Sequence, residues 1–297
     1  METVLRTQSL TKRFREKVAV NKVNITIERG DIYGFIGKNG AGKTTTMKLI
    51  LGLNFPDEGK IEYFGGTPPE KACRKIGSLI EAPGLYKNCT AYENMKRFSI
   101  LSGGTDKEIK DCLRLVGLGN TGNKKAGEFS LGMRQRLGIA IALLGDPEFL
   151  ILDEPINGLD PEGIREIRDV IVSLNRERGV TFLISSHLLD ELAKVVTKYG
   201  ILSGGVLQEE ITAKQLEERC RSGLKITVDN IAKALSVLEG RIGRSNIGIA
   251  GRSLIFQSDT EYAGKINALL VRSGVEVKEL ALQHGGVEDY FIERLGR

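Results

Sequence analysis

Tryptophan is absent from the 297-residue chain, histidine occurs only as His187 and His284, and proline only seven times. Cysteine is scarce as well: Cys73, Cys89, Cys112 and Cys220 stand far apart, with no Cys-x-x-Cys pair. So few histidines and such scattered thiols do not assemble a structural zinc site, and free thiols in a reducing compartment are expected. Long apolar runs are missing too. The longest, near Ile139–Leu144 and Phe149–Leu152, fall far short of the roughly 18 residues that a membrane-crossing helix needs. Met1-Glu2-Thr3-Val4-Leu5-Arg6 has no basic segment leading into an apolar one, so no secretory leader is expected. Nor is there an excess of one charge. The net charge is +5, with 30 basic and 27 acidic residues in 1–211 and 13 and 11 in 212–297. Neither stretch concentrates charge as a nucleic-acid-binding arm does, and no nucleic-acid partner is expected.

The remaining composition, 41% apolar and 27% charged, is that of a globular chain long enough for about two domains and a sizeable core. Through residues 1–211 short β-rich runs alternate with helix-period segments, the pattern of an α/β domain with a largely parallel sheet. Strands are expected at Lys22–Glu28, Asp31–Ile36, Gly77–Ile80, Phe149–Leu152, Val180–Ser185 and Gly200–Leu202. Phe149–Leu152 is apolar at every position, as a strand buried on both faces should be. In Pro161–Arg178, Ile164, Ile167, Ile171 and Leu174 share a helical face behind an Asp160 N-cap. Thr90–Ser102 and Asp106–Val116 interrupt the alternation and read as a helical subdomain. Residues 212–222 read as a connecting helix. Residues 223–297 then follow a β-α-β-β-α-β order, the split βαβ or ferredoxin-like arrangement of a small α+β domain, closed by a helix near Val287–Leu295.

Gly37-Lys38-Asn39-Gly40-Ala41-Gly42-Lys43-Thr44 fits the G-x-x-x-x-G-K-[ST] phosphate loop, and it lies between an expected strand and an expected helix, as that motif requires. The glycines let backbone N–H groups approach phosphate oxygens, and the helix N-terminus adds its positive end. Lys43 is suited to neutralise the β- and γ-phosphates, and the Thr44 hydroxyl to hold Mg²⁺. The strand Phe149–Leu152 ends in Asp153 and Glu154, which alternation points in different directions: Asp153 to the metal, Glu154 to a nucleophilic water. Ser130 reads as the N-cap of an apolar helix, whose N-terminus is a second anion site. Alone, the carboxylate pair fits a capping turn equally well, and Ser130 fits a plain cap of a core helix.

Taken in order, these motifs make residues 3–211 resemble the ATP-binding-cassette (ABC) ATPases of the P-loop NTPase class. Gly37–Thr44 is similar to Walker A, Phe149–Asp153 with Glu154 to Walker B, Phe129–Met133 to the LSGGQ signature, Ile156–Asp160 to the D-loop, and Ser185-Ser186-His187 to the switch-histidine strand. The resemblance implies a head-to-tail dimer with ATP at each interface. Gly37, Asn39, Gly40, Ala41, Gly42, Lys43, Thr44 and Thr45 would surround the nucleotide, Phe14 would stack on adenine, and Ser130 and Gly132 would reach it from the neighbouring subunit. Thr44, Asp153 and Glu81 would hold Mg²⁺. Glu154 would polarise the water, His187 would contact the γ-phosphate, and Asp160 would connect the two sites. Phe14 also fits a core position and Glu81 a solvated loop acid.

Three departures from the family pattern stand out. The signature reads Phe-Ser-Leu-Gly-Met, Glu81 stands where the family has the Q-loop glutamine, and the segments Ile80–Tyr86 and Ser130–Arg136 are similar to the bacterial subgroup exporting bacitracin- and lantibiotic-type peptides. The expectation is the ATPase subunit of an exporter, lying on the inner face of the cell membrane and working with a separate permease that docks near Glu81–Glu93. Two alternatives are a non-transport cassette acting on ribosomes or DNA, and an importer cassette with a regulatory C-terminal domain.

Overall fold

A computed structural model describes residues 2–187, 189–220, 223–242, 247–251, 253–257, 260–283, 290–291 and 294–295. The chain forms two compact units, Met1–Ala213 with Phe291–Arg297, and Lys214–Tyr290.

The first unit holds two sheets. Strands β1 (Thr3–Phe14), β2 (Lys17–Val23), β3 (Thr26–Glu28) and β5 (Glu58–Tyr63) form an antiparallel sheet around β1. Strands β4 (Ile32–Ile36), β6 (Ile76–Leu79), β7 (Phe149–Asp153), β8 (Thr181–Ser186) and β9 (Lys198–Ser203) run parallel in the order β9-β4-β8-β7-β6, and β10 (Val206–Thr212) pairs antiparallel with β9. The expected strand Lys22–Glu28 is in fact the end of β2 and a short β3, separated by Asn24 and Ile25. β1, β5 and β10 carry polar residues throughout and β1 bulges twice along β2, so no apolar run marks them.

Strands β4, β7 and β8 are buried along their whole length. Parallel strands end at one edge of the sheet, so the loops after β4, β7 and β8 converge there, as ligand sites in such sheets do. Helix α1 (Lys43–Ile50) follows β4. Between β6 and β7 lie α3 (Ala91–Ser102), α4 (Asp106–Leu115) and α5 (Leu131–Ala142), which pack on one another as the helical subdomain; a one-turn α2 (Pro69–Ala72) precedes β6. Helix α6 (Pro161–Arg178) is capped by Asp160, whose carboxylate accepts from Gly163 N at 3.0 Å. A short α7 (Leu189–Ala193) precedes β9.

After α8 (Ala213–Arg219), the second unit runs β11 (Gly223–Val228), α9 (Ile231–Ile242), β12 (Ile247–Ala250), β13 (Ser253–Gln257), α10 (Thr260–Arg272) and β14 (Val277–Gln283). The strand order is β12-β13-β11-β14, antiparallel throughout, which is the split βαβ arrangement. Leu224, Ile226, Val228 and Leu254 of the sheet pack with Ala234, Leu238, Ile266 and Leu270 of the helices.

Of the helix expected near Val287–Leu295, only Tyr290, Phe291, Arg294 and Leu295 are described. Phe291 lies in the first unit: it is fully buried, its ring 5.5 Å from that of Tyr199 on β9. Arg294 pairs with Glu209 at 3.0 Å, and Ser203 Oγ donates to Leu295 O at 3.3 Å.

Candidate active site

The loop from β4 to α1 is shaped by close backbone contacts. A Cβ on Gly37 would lie 2.5 Å from Leu202 O, and one on Gly42, where φ is +108°, 2.4 Å from Ala19 O. Neither position has room for a side chain, and Gly42 also sits in the left-handed region that disfavours one. Ala41 turns its methyl into the core, and its N–H is used within the loop, donating to Lys38 O at 3.1 Å. Lys43 is 5% exposed. Its ammonium donates to Gly37 O at 2.7 Å and pairs with Glu154 Oε1 at 3.1 Å.

Asp153, at the end of β7, is buried and its two oxygens accept from different hydroxyls: Oδ2 from Thr44 Oγ1 at 2.7 Å, Oδ1 from Ser185 Oγ at 2.6 Å. Glu154 adopts a left-handed backbone, with φ +49°, and its N–H donates to the same Ser185 hydroxyl at 2.8 Å. Its carboxylate lies between Lys43 on Oε1 and His187 Nδ1, 2.8 Å from Oε2. Three loops thus meet on one carboxylate, Lys43 lying more than 100 residues from Glu154 in the chain and His187 33 residues beyond it.

A cavity of about 320 Å³ opens over this cluster, with Phe14, Asn39, Gly40, Gly42, Lys43, Thr44, Thr45 and Glu154 in its wall. Phe14 is 48% exposed at the tip of β1, so it is free to stack on a planar ring rather than serving the core. Lys17 and Ala19 of β2 also line the cavity, and the sequence reading missed both. No local motif marks them, because the β1–β2 hairpin alone brings them there.

Ser130, Gly132 and Asp160 form a second group. Ser130 caps α5 through Met133 N at 3.2 Å. A Cβ on Gly132 would meet Gly163 Cα at 3.6 Å and Leu159 Cδ2 at 3.8 Å, so the signature turn lies against the start of α6 beside Asp160. Glu81 is not joined to Thr44 or Asp153. It is held in a left-handed turn, with φ +61°, and its carboxylate pairs with Lys48 of α1 at 2.7 Å. Two-thirds of that side chain is exposed. His284 lies outside the described residues.

Thr44 and Asp153 fit a hard divalent cation. Both offer oxygen, and among the described residues Asp153 is a buried carboxylate bonded only to hydroxyls, with no ion pair. Among the described residues no three His, Cys, Asp or Glu side chains gather as a metal cluster. A site of this kind leaves most coordination positions to phosphate oxygens and water, the Mg²⁺–nucleotide pattern.

The family profile described as ABC transporter matches residues 20–157. The bacitracin transport ATP-binding protein BcrA of Bacillus licheniformis is 42% identical over all of this chain and 98% of its own length. The lantibiotic transport ATP-binding protein SrtF of Streptococcus pyogenes is 44% identical over 72% of this chain and 95% of its own. Among solved structures, an ATP-binding cassette of an ABC transporter in its ADP conformation superposes with a TM-score of 0.66 at 27% identity, covering 72% of this chain and 93% of that one. A dimeric post-hydrolysis cassette bound to ADP and Pi gives 0.62 at 25%, over 71% and 99%. With a phosphate loop, a buried Walker-type aspartate and a glutamate held between lysine and histidine, and with a 42% identical relative matching from end to end, the chain belongs to the ATP-hydrolysing ATP-binding proteins of the ABC transporter family.

Proposed function

We propose that the chain powers export of a bacitracin- or lantibiotic-type peptide through a separate membrane permease. The observation that carries this reading is the extent of the match to the bacitracin transport protein, which runs through residues 214–290 as well as the cassette. The relatives are transport proteins by name, which favours this reading over a ribosome- or DNA-acting ATPase. Among the described residues no helix is long and apolar enough to cross a membrane, and this reading puts the pathway in another chain. The exposed Tyr86, within Glu81–Glu93, offers that permease an aromatic contact on the inner membrane face. In this reading residues 1–211 are the nucleotide-binding domain, 212–222 a connector and 223–290 an accessory domain, with Phe291–Arg297 returning to the first unit.

Mechanistically, Lys43 exchanges its pairing with Glu154 for the incoming β- and γ-phosphates, which leaves the Glu154 carboxylate free to accept a proton from the attacking water. His187, 2.8 Å from Glu154, orients that carboxylate, and in this reading it contacts the γ-phosphate. Thr44 and Asp153 are the residues that would hold Mg²⁺, whose charge lowers the cost of phosphoryl transfer. Ser130 and Gly132 of a second copy complete the site in a head-to-tail dimer, with Asp160 between the two sites. The test is genetic: a Glu154→Gln allele in the native cell should lower resistance to bacitracin or a lantibiotic several-fold. Unchanged susceptibility to both classes contradicts the proposed cargo.

A further inference from the structure

We propose that Ser185 is a positioning residue for hydrolysis: its single hydroxyl fixes the metal-facing carboxylate of Asp153 and the backbone of Glu154 together. In the parallel ladder Asp153 of β7 stands opposite Ser185 of β8, which places the hydroxyl beside both residues at the strand end. A serine hydroxyl has one proton to give and lone pairs to receive with. Here the proton goes to Asp153 Oδ1 at 2.6 Å, and a lone pair takes the Glu154 N–H at 2.8 Å. Donating to Oδ1 turns the other oxygen, Oδ2, towards Thr44. Accepting from Glu154 N ties down a residue whose φ of +49° is unfavourable for any side chain with a Cβ. That backbone determines where the Glu154 carboxylate emerges, and so its approach to Lys43 and His187. Ser185 is itself fully buried, so water cannot replace the hydroxyl if it is removed.

This inference rests on the roles given above to Asp153 and Glu154. The experiment therefore runs Glu154→Gln beside Ser185→Ala and Ser185→Thr in the full-length protein. Steady-state ATP hydrolysis gives kcat and KM, and electron paramagnetic resonance of Mn²⁺ titrated into the ADP complex gives metal affinity without turnover. For Ser185→Ala, kcat is expected to fall about 10- to 100-fold with KM for ATP within about twofold, and Mn²⁺ affinity to weaken several-fold. Ser185→Thr, which keeps the hydroxyl, should recover most of the kcat. A Ser185→Ala kcat within twofold of wild type with unchanged Mn²⁺ affinity overturns the proposal. So does a kcat loss matched by an equal loss of ADP affinity, which is the mark of general packing damage. If Glu154→Gln keeps its turnover, the role of Glu154 itself fails, and the proposal with it.

Discussion

Lys43 and Glu154 pair with each other in the wall of the cavity, Lys43 almost fully buried, so removing either takes an ionic partner from the other. Lys43→Ala should abolish measurable ADP binding by calorimetry; binding within a factor of two of wild type removes Lys43 from its role. Glu154→Gln keeps shape and hydrogen bonding while losing the basic oxygen. It should bind ATP and form the dimer, with turnover at least about 10²-fold lower. The phosphate loop and the Asp153–Glu154 pair were legible in the sequence because each is contiguous and comes at the end of an apolar strand. Ser185 was not, because its significance lies in a cross-strand pairing 32 residues away. The pairing of Glu81 with Lys48 depends on a left-handed turn that no local pattern signals.

Elements are tied together at the sheet end remote from the nucleotide by a charged chain. Glu148, just before β7, accepts from Lys75 at 2.7 Å and from Arg29 at 2.7 Å, and Arg29 also binds Glu2. The Lys75 hydrogen bond first, then that of Arg29, holds the Glu148 carboxyl below its ordinary 4.5. A lowered pKa in the folded state stabilises at pH above the unfolded value, and that contribution is lost as pH falls from 4.5 through the folded pKa. Glu148→Gln should therefore flatten the fall of melting temperature with pH below 4.5; an unchanged slope contradicts the linkage. At this scale β4 and β7 were readable from the apolar stretches Ile32–Ile36 and Phe149–Leu152, and β8 from its apolar centre Phe182–Ile184. β1 was not, since its buried Val4, Leu5 and Leu10 are spaced irregularly by a left-handed Ser9 and by bulges.

At the scale of the whole molecule, the chain leaves the first unit near Ala213 and re-enters it at Phe291. The sequence pattern assigned 223–297 to one accessory domain, because the expected last helix follows directly on its β-α-β-β-α-β order. Nothing in the residues near Phe291 says that its ring belongs beside Tyr199. Emptying a fully buried aromatic site costs about 3–5 kcal/mol. Phe291→Ala should thus lower the melting midpoint by at least about 5 °C in the full chain; a shift under about 1 °C contradicts that packing.

The account as a whole rests on a cassette that drives a membrane partner. Its most direct test is affinity purification of the tagged chain from detergent-solubilised native membranes, with mass spectrometry of the proteins that accompany it. The account predicts a stoichiometric polytopic permease. Recovery with ribosomal or DNA-repair proteins, and absence from membranes, would contradict it.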